Sequence, residues 1–141
     1  MSIHHLPDAD FVREFESGGI ALRDWDHRGH VRFGWVALEA ESTFERALDR
    51  VRSGLTAHLA LAIQAGETPE FGYHETITHF WLRLVDRVRR AEPRHVDSTA
   101  FCAAHPELLD KTLLRRHFSK GLLLGEEPRR IYVEPDLAPM P

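Results

Sequence analysis

Apolar residues recur at intervals of three and four along much of this chain, and this spacing strongly restricts the folds that the chain can adopt. The clearest run comprises Phe44, Leu48, Val51, Leu55, Leu59 and Ala62. Because an α-helix turns through about 100° per residue, these side chains share one face of a helix. No run alternates strongly enough between apolar and polar residues to predict a strand. The sequence therefore predicts an all-α fold.

Start and stop signals divide this pattern into a compact bundle of five or six helices. The first helix is predicted to follow Pro7 and to stop at Gly18 and Gly19. Asp26 is a suitable cap for a second helix, which is predicted to run to about Ala40.

Ser42 and Glu45 have the spacing of a capping box and predict the start of a third helix, which ends near Gly66. A fourth helix is predicted over residues 74–91, and it stops before Pro93 because proline disfavours a helical conformation in the residue ahead of it.

The last third of the chain gives weaker signals. Pro106 suits the first position of a helix, which predicts a fifth helix over residues 106–118 and a sixth over residues 119–130. Residues 131–141 are predicted to form an extended tail on the surface. The length is that of one domain, so residues 1–141 are predicted to form a single helical domain.

Composition excludes some classes of partner. The chain has 18 basic and 22 acidic residues, a net charge of −4, which argues against a nucleic-acid-binding protein. Cys102 is the single cysteine, so no internal disulfide can form and a reducing compartment is expected. The first ten residues lack the apolar core of a signal peptide, and no run reaches the ~20 apolar residues of a membrane span. The prediction is a cytoplasmic protein with neither a membrane nor a nucleic acid as partner.

Ten histidines make imidazole the main candidate for chemistry. On the second helix, His27 and His30 share the apolar face, and Arg32 and Glu39 fall on the opposite, charged face. Both histidines are therefore predicted to point inward.

The fourth helix presents a second group of candidates. His74 falls on the apolar stripe with Trp81 and Val85, Glu75 lies on the flank of that stripe, and His79 falls on the outward face. His74 is therefore predicted to point into the bundle and His79 to lie at the surface.

The expected topology brings these two groups together. Short loops make consecutive helices antiparallel neighbours, so the second and fourth helices start at the same end of the bundle. His27, His30, His74 and Glu75 are then predicted to form one cluster. His58 lies on the apolar face of the third helix, roughly level with the start of the second, and whether it joins this cluster is left open.

These residue types fit a metal site. Neutral imidazoles are common ligands of zinc, copper, nickel and iron, and a carboxylate can complete the set. The positive end of a helix favours the neutral imidazole. His27, His30, His74 and Glu75 are therefore the predicted ligands of one divalent metal ion of unknown identity. Glu75 has two alternative roles, as a hydrogen-bond partner of a ligand or as a general base that acts on bound water, and Tyr73 is predicted to donate a hydrogen bond to a bound ligand.

Two segments also carry a resemblance. Residues 25–35 read WDHRGHVRFGW, and residues 72–81 read GYHETITHFW. They resemble an uncharacterised family of small bacterial all-helical proteins with a His-x-x-His helix and a GYHETIT helix, and the similarity extends to the tail at residues 133–136. The resemblance implies no function, and His58 and His79 lie outside its pattern. It implies these shared motif residues: His27, His30, Tyr73, His74, Glu75 and Thr78.

Three functional hypotheses follow. The leading one is a small metal-dependent enzyme acting on a small molecule, in which the three histidines hold the ion and Glu75 ligates it or acts as base. The second is a non-catalytic small-molecule-binding or accessory protein, in which the same histidines form a buried network and the arginines of residues 83–94 dock a partner. The third is metal-free acid/base catalysis by His74 and Glu75.

Overall fold

The regular elements are all helical in the computed structural model, which describes residues 2–92 and 94–141. The all-α prediction is therefore confirmed for this part of the chain. The longer helices are α1 (Asp8–Glu16), α2 (His27–Ala40), α3 (Phe44–Gln64), α4 (Glu75–Ala91) and α5 (Ser98–Ala104). The short helices are α6 (Lys120–Leu123) and α7 (Glu126–Arg130), with 3₁₀ turns at Leu22–Asp24, Pro106–Leu109 and Lys111–Arg116.

The first three helices begin and end close to the predicted positions. Asp26 caps α2, where its carboxylate accepts a hydrogen bond from the Gly29 backbone N–H at 2.8 Å. Gly18 follows α1 with a φ of 82°, and Gly66 follows α3 with a φ of 90°. Both glycines supply the left-handed backbone that ends a helix, which other residues adopt at a steric cost.

The caps of α3 and α4 differ from the prediction. Thr43, rather than Ser42, caps α3, and its hydroxyl accepts from the Arg46 N–H at 3.1 Å. His74 lies ahead of α4 as its capping residue, where it was expected inside the helix on the buried stripe. A capping side chain must come from the residue directly before the first helical turn, and this position is set by where the neighbouring helices start. Pro93, predicted to stop α4, lies outside the described residues.

The predicted fifth and sixth helices are wrong. Residues 98–104 form a helix that was not predicted, and residues 106–118 contain two 3₁₀ turns separated at Asp110. The Asp110 carboxylate accepts from the Thr112 N–H at 3.0 Å, and such local side-chain bonds compete with a continuous α-helix. Residues 119–130 break into α6 and α7. The tail over residues 131–141 has no regular secondary structure, as predicted.

α2 is the central helix and packs against α3, α4 and α5. It runs in the same direction as α4, as predicted. At the start of α2 the His27 ring contacts the Trp81 ring at a centroid distance of 4.4 Å, and near its end Glu39 forms an ion pair with Arg89 at 2.6 Å. The starts of the two helices therefore face the same end of the protein.

Aromatic side chains from several elements fill the core. Those with no exposed surface include Phe11, Phe33, Phe80, Phe101 and Phe118. Among the described residues, no helix is both long and apolar enough to cross a membrane.

Arg32, predicted on the charged face of α2, is buried, whereas Glu39 on the same face is exposed. Arg32 is completely buried, where it pairs with Asp8 and donates hydrogen bonds to the Ser98 hydroxyl and the Leu6 carbonyl. The N-terminal segment and α5 cover this residue. A buried guanidinium is tolerated only when such partners satisfy it, so Arg32 ties the N-terminus and α5 to the central helix.

Candidate functional site

Two of the candidate histidines, His30 and His58, lie beside Trp25, which comes just before α2. The Trp25 indole N–H donates to Nε2 of His30 at 3.0 Å. Its ring lies 5.2 Å from the His30 ring and 5.5 Å from the His58 ring, measured between centroids. The expectation that His58 lies level with the start of α2 is therefore confirmed.

His27 and His58 each donate one ring N–H to a backbone carbonyl. Nε2 of His27 bonds to the Leu108 oxygen at 2.8 Å, and Nε2 of His58 bonds to the Ile20 oxygen at 2.6 Å. Because a carbonyl oxygen only accepts, Nε2 carries the proton in both rings. The Nδ1 lone pair of each ring then remains available.

His74 uses both ring nitrogens to hold the fold together. Nδ1 accepts from the Ile77 N–H at 3.3 Å, which caps α4, and Nε2 donates to the Leu123 carbonyl at 2.8 Å. A neutral imidazole has one donor and one acceptor, and both are occupied here. In this position His74 has no lone pair left for a metal ion.

Burial keeps these imidazoles neutral. Desolvation lowers the pKa of His27, His30 and His74 below the ordinary value of 6.5. His30 has exposed surface, yet the protein around its ring and the neighbouring imidazoles of His27 and His58 lower its pKa as well. Neutral imidazoles were predicted, but the main cause is burial rather than the positive end of a helix.

Glu75 is held by an arginine and a tyrosine. Its two carboxylate oxygens accept from Arg52 at 2.8 and 2.7 Å, and the Tyr73 hydroxyl donates to it at 2.7 Å. These bonds, led by the one from Arg52, hold the pKa of the nearly buried Glu75 below its usual range. Burial and the Glu75 carboxylate raise the pKa of Tyr73. Both predicted catalytic residues therefore already have partners within the protein.

His79 does not lie on the surface as predicted. It is half-buried between the rings of Tyr132, at 4.0 Å, and Phe44, at 5.6 Å between centroids. Tyr132 comes from the C-terminal tail, which covers this side of α4. Helical periodicity alone does not show that a distant segment will pack on a face.

The predicted ligands thus have three different environments. His27 and His30 lie around Trp25 and Trp81, His74 bonds to Leu123, and Glu75 bonds to Arg52. Within residues 2–92 and 94–141, no group of three or more His, Cys, Asp or Glu side chains is arranged to hold a metal ion. Metal binding therefore stays a prediction.

A concave surface lies beside the second half of α4, within the basic run over residues 83–94 that the second hypothesis assigned to a partner. Arg83, Arg87 and Arg90 project from this helix, and Phe44 closes the concavity from the start of α3; the lining also includes Asp86. The volume is about 510 Å³, and we call this surface the arginine groove. Its signal in the sequence is the spacing of four and three residues, which places the three arginines on one helical face.

The arginine groove carries positive charge that the protein does not neutralise. Asp86 forms ion pairs with Arg89 at 3.0 Å and with Arg90 at 3.2 Å. In the described part of the chain, no carboxylate forms an ion pair with Arg83 or Arg87, and both arginines are exposed. Two exposed guanidinium groups therefore lack an acidic partner in this part of the chain, and that of Arg83 also lies 6.0 Å from the centroid of the Tyr132 ring.

No protein-family model, curated protein or solved structure matches this chain. The resemblance to a family with a GYHETIT helix therefore stays a prediction.

Proposed function

We propose that this protein is a non-catalytic binding protein that takes an anionic small molecule into the arginine groove. The carrying observation is the pair of unneutralised guanidiniums, Arg83 and Arg87, beside a concavity of about 510 Å³. Ligand sites commonly have volumes of about 300–1,000 Å³. The proposal develops the hypothesis of a small-molecule-binding protein with a buried histidine network.

The residues of the groove favour binding over catalysis. Guanidinium stays protonated, so Arg83, Arg87 and Arg90 cannot exchange protons with a substrate at neutral pH. Asp86, the carboxylate of the groove, is already paired with arginines. Guanidinium groups bind carboxylate and phosphate in a bidentate manner, and the half-buried Phe44 ring provides an apolar wall. We therefore propose an organic phosphate or carboxylate as the ligand class.

Calorimetric titration with pyrophosphate, citrate and adenosine monophosphate tests this function. We expect at least one of these probes to bind. Arg87→Ala should weaken that binding about 10- to 100-fold, because a charge-assisted hydrogen bond contributes about 1.5–3 kcal/mol. Arg115→Ala removes the same charge from an exposed arginine elsewhere and should leave the affinity unchanged. Failure of all three probes to bind, or an equal loss in both variants, contradicts the proposal.

The metal-dependent enzyme is the second candidate, and one observation favours it. His27 and His58 each donate one N–H to a backbone carbonyl, which is how imidazole ligands are commonly oriented in metal sites. For His74 to join them, its ring would have to leave the cap of α4. The hypothesis keeps Glu75 as ligand or base and a small molecule as substrate.

Elemental analysis of untagged protein, purified without chelator, tests this second candidate. The hypothesis expects near-stoichiometric metal in the wild type and none in His74→Ala. Absence of metal from the wild type, or the same metal content in His74→Ala, would rule out the site at His27, His30, His74 and Glu75. We propose a cytoplasmic location for either function, because Cys102 is a buried free thiol.

A further inference from the structure

His95 and His105, which lie outside the sites described above, carry buried ring nitrogens without a partner. Nε2 of each ring is buried and has no hydrogen-bond partner among residues 2–92 and 94–141. His105 is 8% exposed and His95 is half-buried. Leaving such a nitrogen unpaired costs about 1–3 kcal/mol, and buried polar atoms of this kind usually meet a ligand, an ion or a water molecule.

The two rings have a spacing that suits one shared ion. Their centroids lie 5.5 Å apart and their planes are perpendicular, at 90°. A zinc–nitrogen bond of about 2 Å places a ring centroid about 3 Å from the ion, so two rings on a tetrahedral ion lie about 5 Å apart. The observed spacing is close to this distance.

The surroundings of His105 leave its free nitrogen as an acceptor. Nδ1 of His105 faces the Glu107 carboxylate at 3.4 Å. This contact is longer than a good hydrogen bond, but a carboxylate beside one ring nitrogen favours the proton there and the lone pair on the other nitrogen, the arrangement that commonly orients imidazole ligands of metal ions. Nε2 of His105 is then the nitrogen able to bind a cation.

His95 borders a cavity of about 220 Å³ beside the end of α4. The last carbonyls of a helix carry partial negative charge, which favours a cation. Arg89, Arg90 and Arg94 line this cavity and oppose a cation. Arg90 is paired with Asp86 at 3.2 Å. However, Arg89 is neutralised by ion pairs with Glu39 at 2.6 Å and Asp86 at 3.0 Å, and the Glu92 carboxylate lies in the same lining.

We propose that His95 and His105 bind one divalent transition-metal ion, such as Zn²⁺, through their Nε2 atoms. Imidazole is a preferred ligand of this class of ion, and water fills the remaining positions. The site needs no residue of the arginine groove and none of the predicted ligands His27, His30, His74 and Glu75. It is therefore independent of the proposed function.

Calorimetric titration of chelator-treated, dialysed protein with ZnCl₂ at pH 7.5 tests the site. We expect the wild type to bind one Zn²⁺ per chain, and His95→Gln and His105→Phe each to weaken binding at least tenfold. His5→Gln is the control, because His5 is exposed and, among residues 2–92 and 94–141, bonds to the Ser2 carbonyl alone. Saturating Zn²⁺ should also raise the melting temperature of the wild type and of the control, since an ion that binds the folded state stabilises it.

Circular dichroism shows whether each variant is folded. If His105→Phe does not fold, His95→Gln still tests the site, because His95 is only half-buried and its substitution disturbs the core less. Absence of Zn²⁺ binding by the wild type would overturn the proposal, and a buried water would then account for the two nitrogens. Unchanged Zn²⁺ binding in His95→Gln would also overturn it. Loss of binding in His74→Ala but not in His95→Gln would place the ion at the predicted cluster instead.

Discussion

Both ring nitrogens of His74 form hydrogen bonds within the protein, whereas other histidines keep a ring nitrogen available for a ligand. His27 and His58 each bond one nitrogen to a backbone carbonyl. His95 and His105 each leave a buried Nε2 without a partner in the described part of the chain. Because a neutral imidazole offers one donor and one acceptor, the partners of each ring determine whether it can take a ligand.

Stability should fall as the pH drops below about 6.5. The pKa values of His27, His30 and His74 all lie below the ordinary value of 6.5 in the folded protein. Between pH 6.5 and the folded pKa of each histidine, the unfolded chain binds protons that the folded chain excludes. The free energy of unfolding therefore decreases as the pH falls through this range. Urea unfolding at pH 7.5, 6.0 and 5.0 measures this loss.

His30→Gln identifies the residue responsible, because an amide can still accept from Trp25 but does not titrate. The variant should lose less stability between pH 7.5 and pH 5.0 than the wild type does. Equal losses in the two proteins would show that His30 does not contribute, and stability that is constant over this range would contradict the whole prediction.

Five of the helices in the described residues begin directly after a residue whose side chain caps the helix N-terminus. In each case, the residue directly ahead of the helix accepts a hydrogen bond from a backbone N–H in its first turn. The caps of α2, α3, α4, α5 and α6 are Asp26, Thr43, His74, Asp97 and Ser119. Four of these are the residue types that commonly cap helices, and His74 is unusual.

Thr43→Ala should lower the free energy of unfolding by about 1 kcal/mol, because the Arg46 N–H loses its partner. Ser42→Ala is the matched control. Ser42 is the neighbouring hydroxyl, it is exposed, and it makes no side-chain hydrogen bond within the described residues. Urea unfolding of both variants measures the difference, and an equal or larger loss in Ser42→Ala would show that the cap is misassigned.

Across the whole molecule, the irregular C-terminal third is fastened to the starts of α2 and α4. The Leu108 carbonyl accepts from His27, and the Leu123 carbonyl accepts from His74. The side chain of Thr76, which is completely buried, donates a hydrogen bond to the Ile131 carbonyl at 3.0 Å. It also accepts one from the Val133 backbone N–H at 3.2 Å. The residues that first suggested a metal site therefore also attach the end of the chain to the bundle.

Thr76→Val should loosen this attachment. The change keeps the shape of the side chain but removes the partner of two partly buried backbone groups, which costs at most about 1–3 kcal/mol for each. Thr56→Val is the control, since Thr56 is exposed and bonds only within α3. We expect trypsin to cleave after Arg130, an exposed residue at the end of α7, faster in Thr76→Val than in the control. Equal cleavage rates would contradict this role of Thr76.

The sequence by itself determined the first four helices, because they depend on local interactions. Apolar spacing, the Asp26 cap and the glycines after α1 and α3 act within a few residues of one another. The shared direction of α2 and α4 follows from the short loops between consecutive helices. These features place His27 and His30 at the correct end of the bundle and His58 beside them.

Only the tertiary structure decided what the candidate residues contact. The partner of His27 lies 81 positions away along the chain, and that of His74 lies 49 positions away. No periodic pattern predicts which distant carbonyl will accept a hydrogen bond. The C-terminal third lacks strong local signals, so packing against α2 and α4 shapes it. α5 and the N-terminal segment bury Arg32, and the tail half-buries His79. Local periodicity therefore predicts which side chains share a helix face. The hydrogen-bond partners of each imidazole, and so its ability to bind a ligand, depend on contacts between segments remote in sequence.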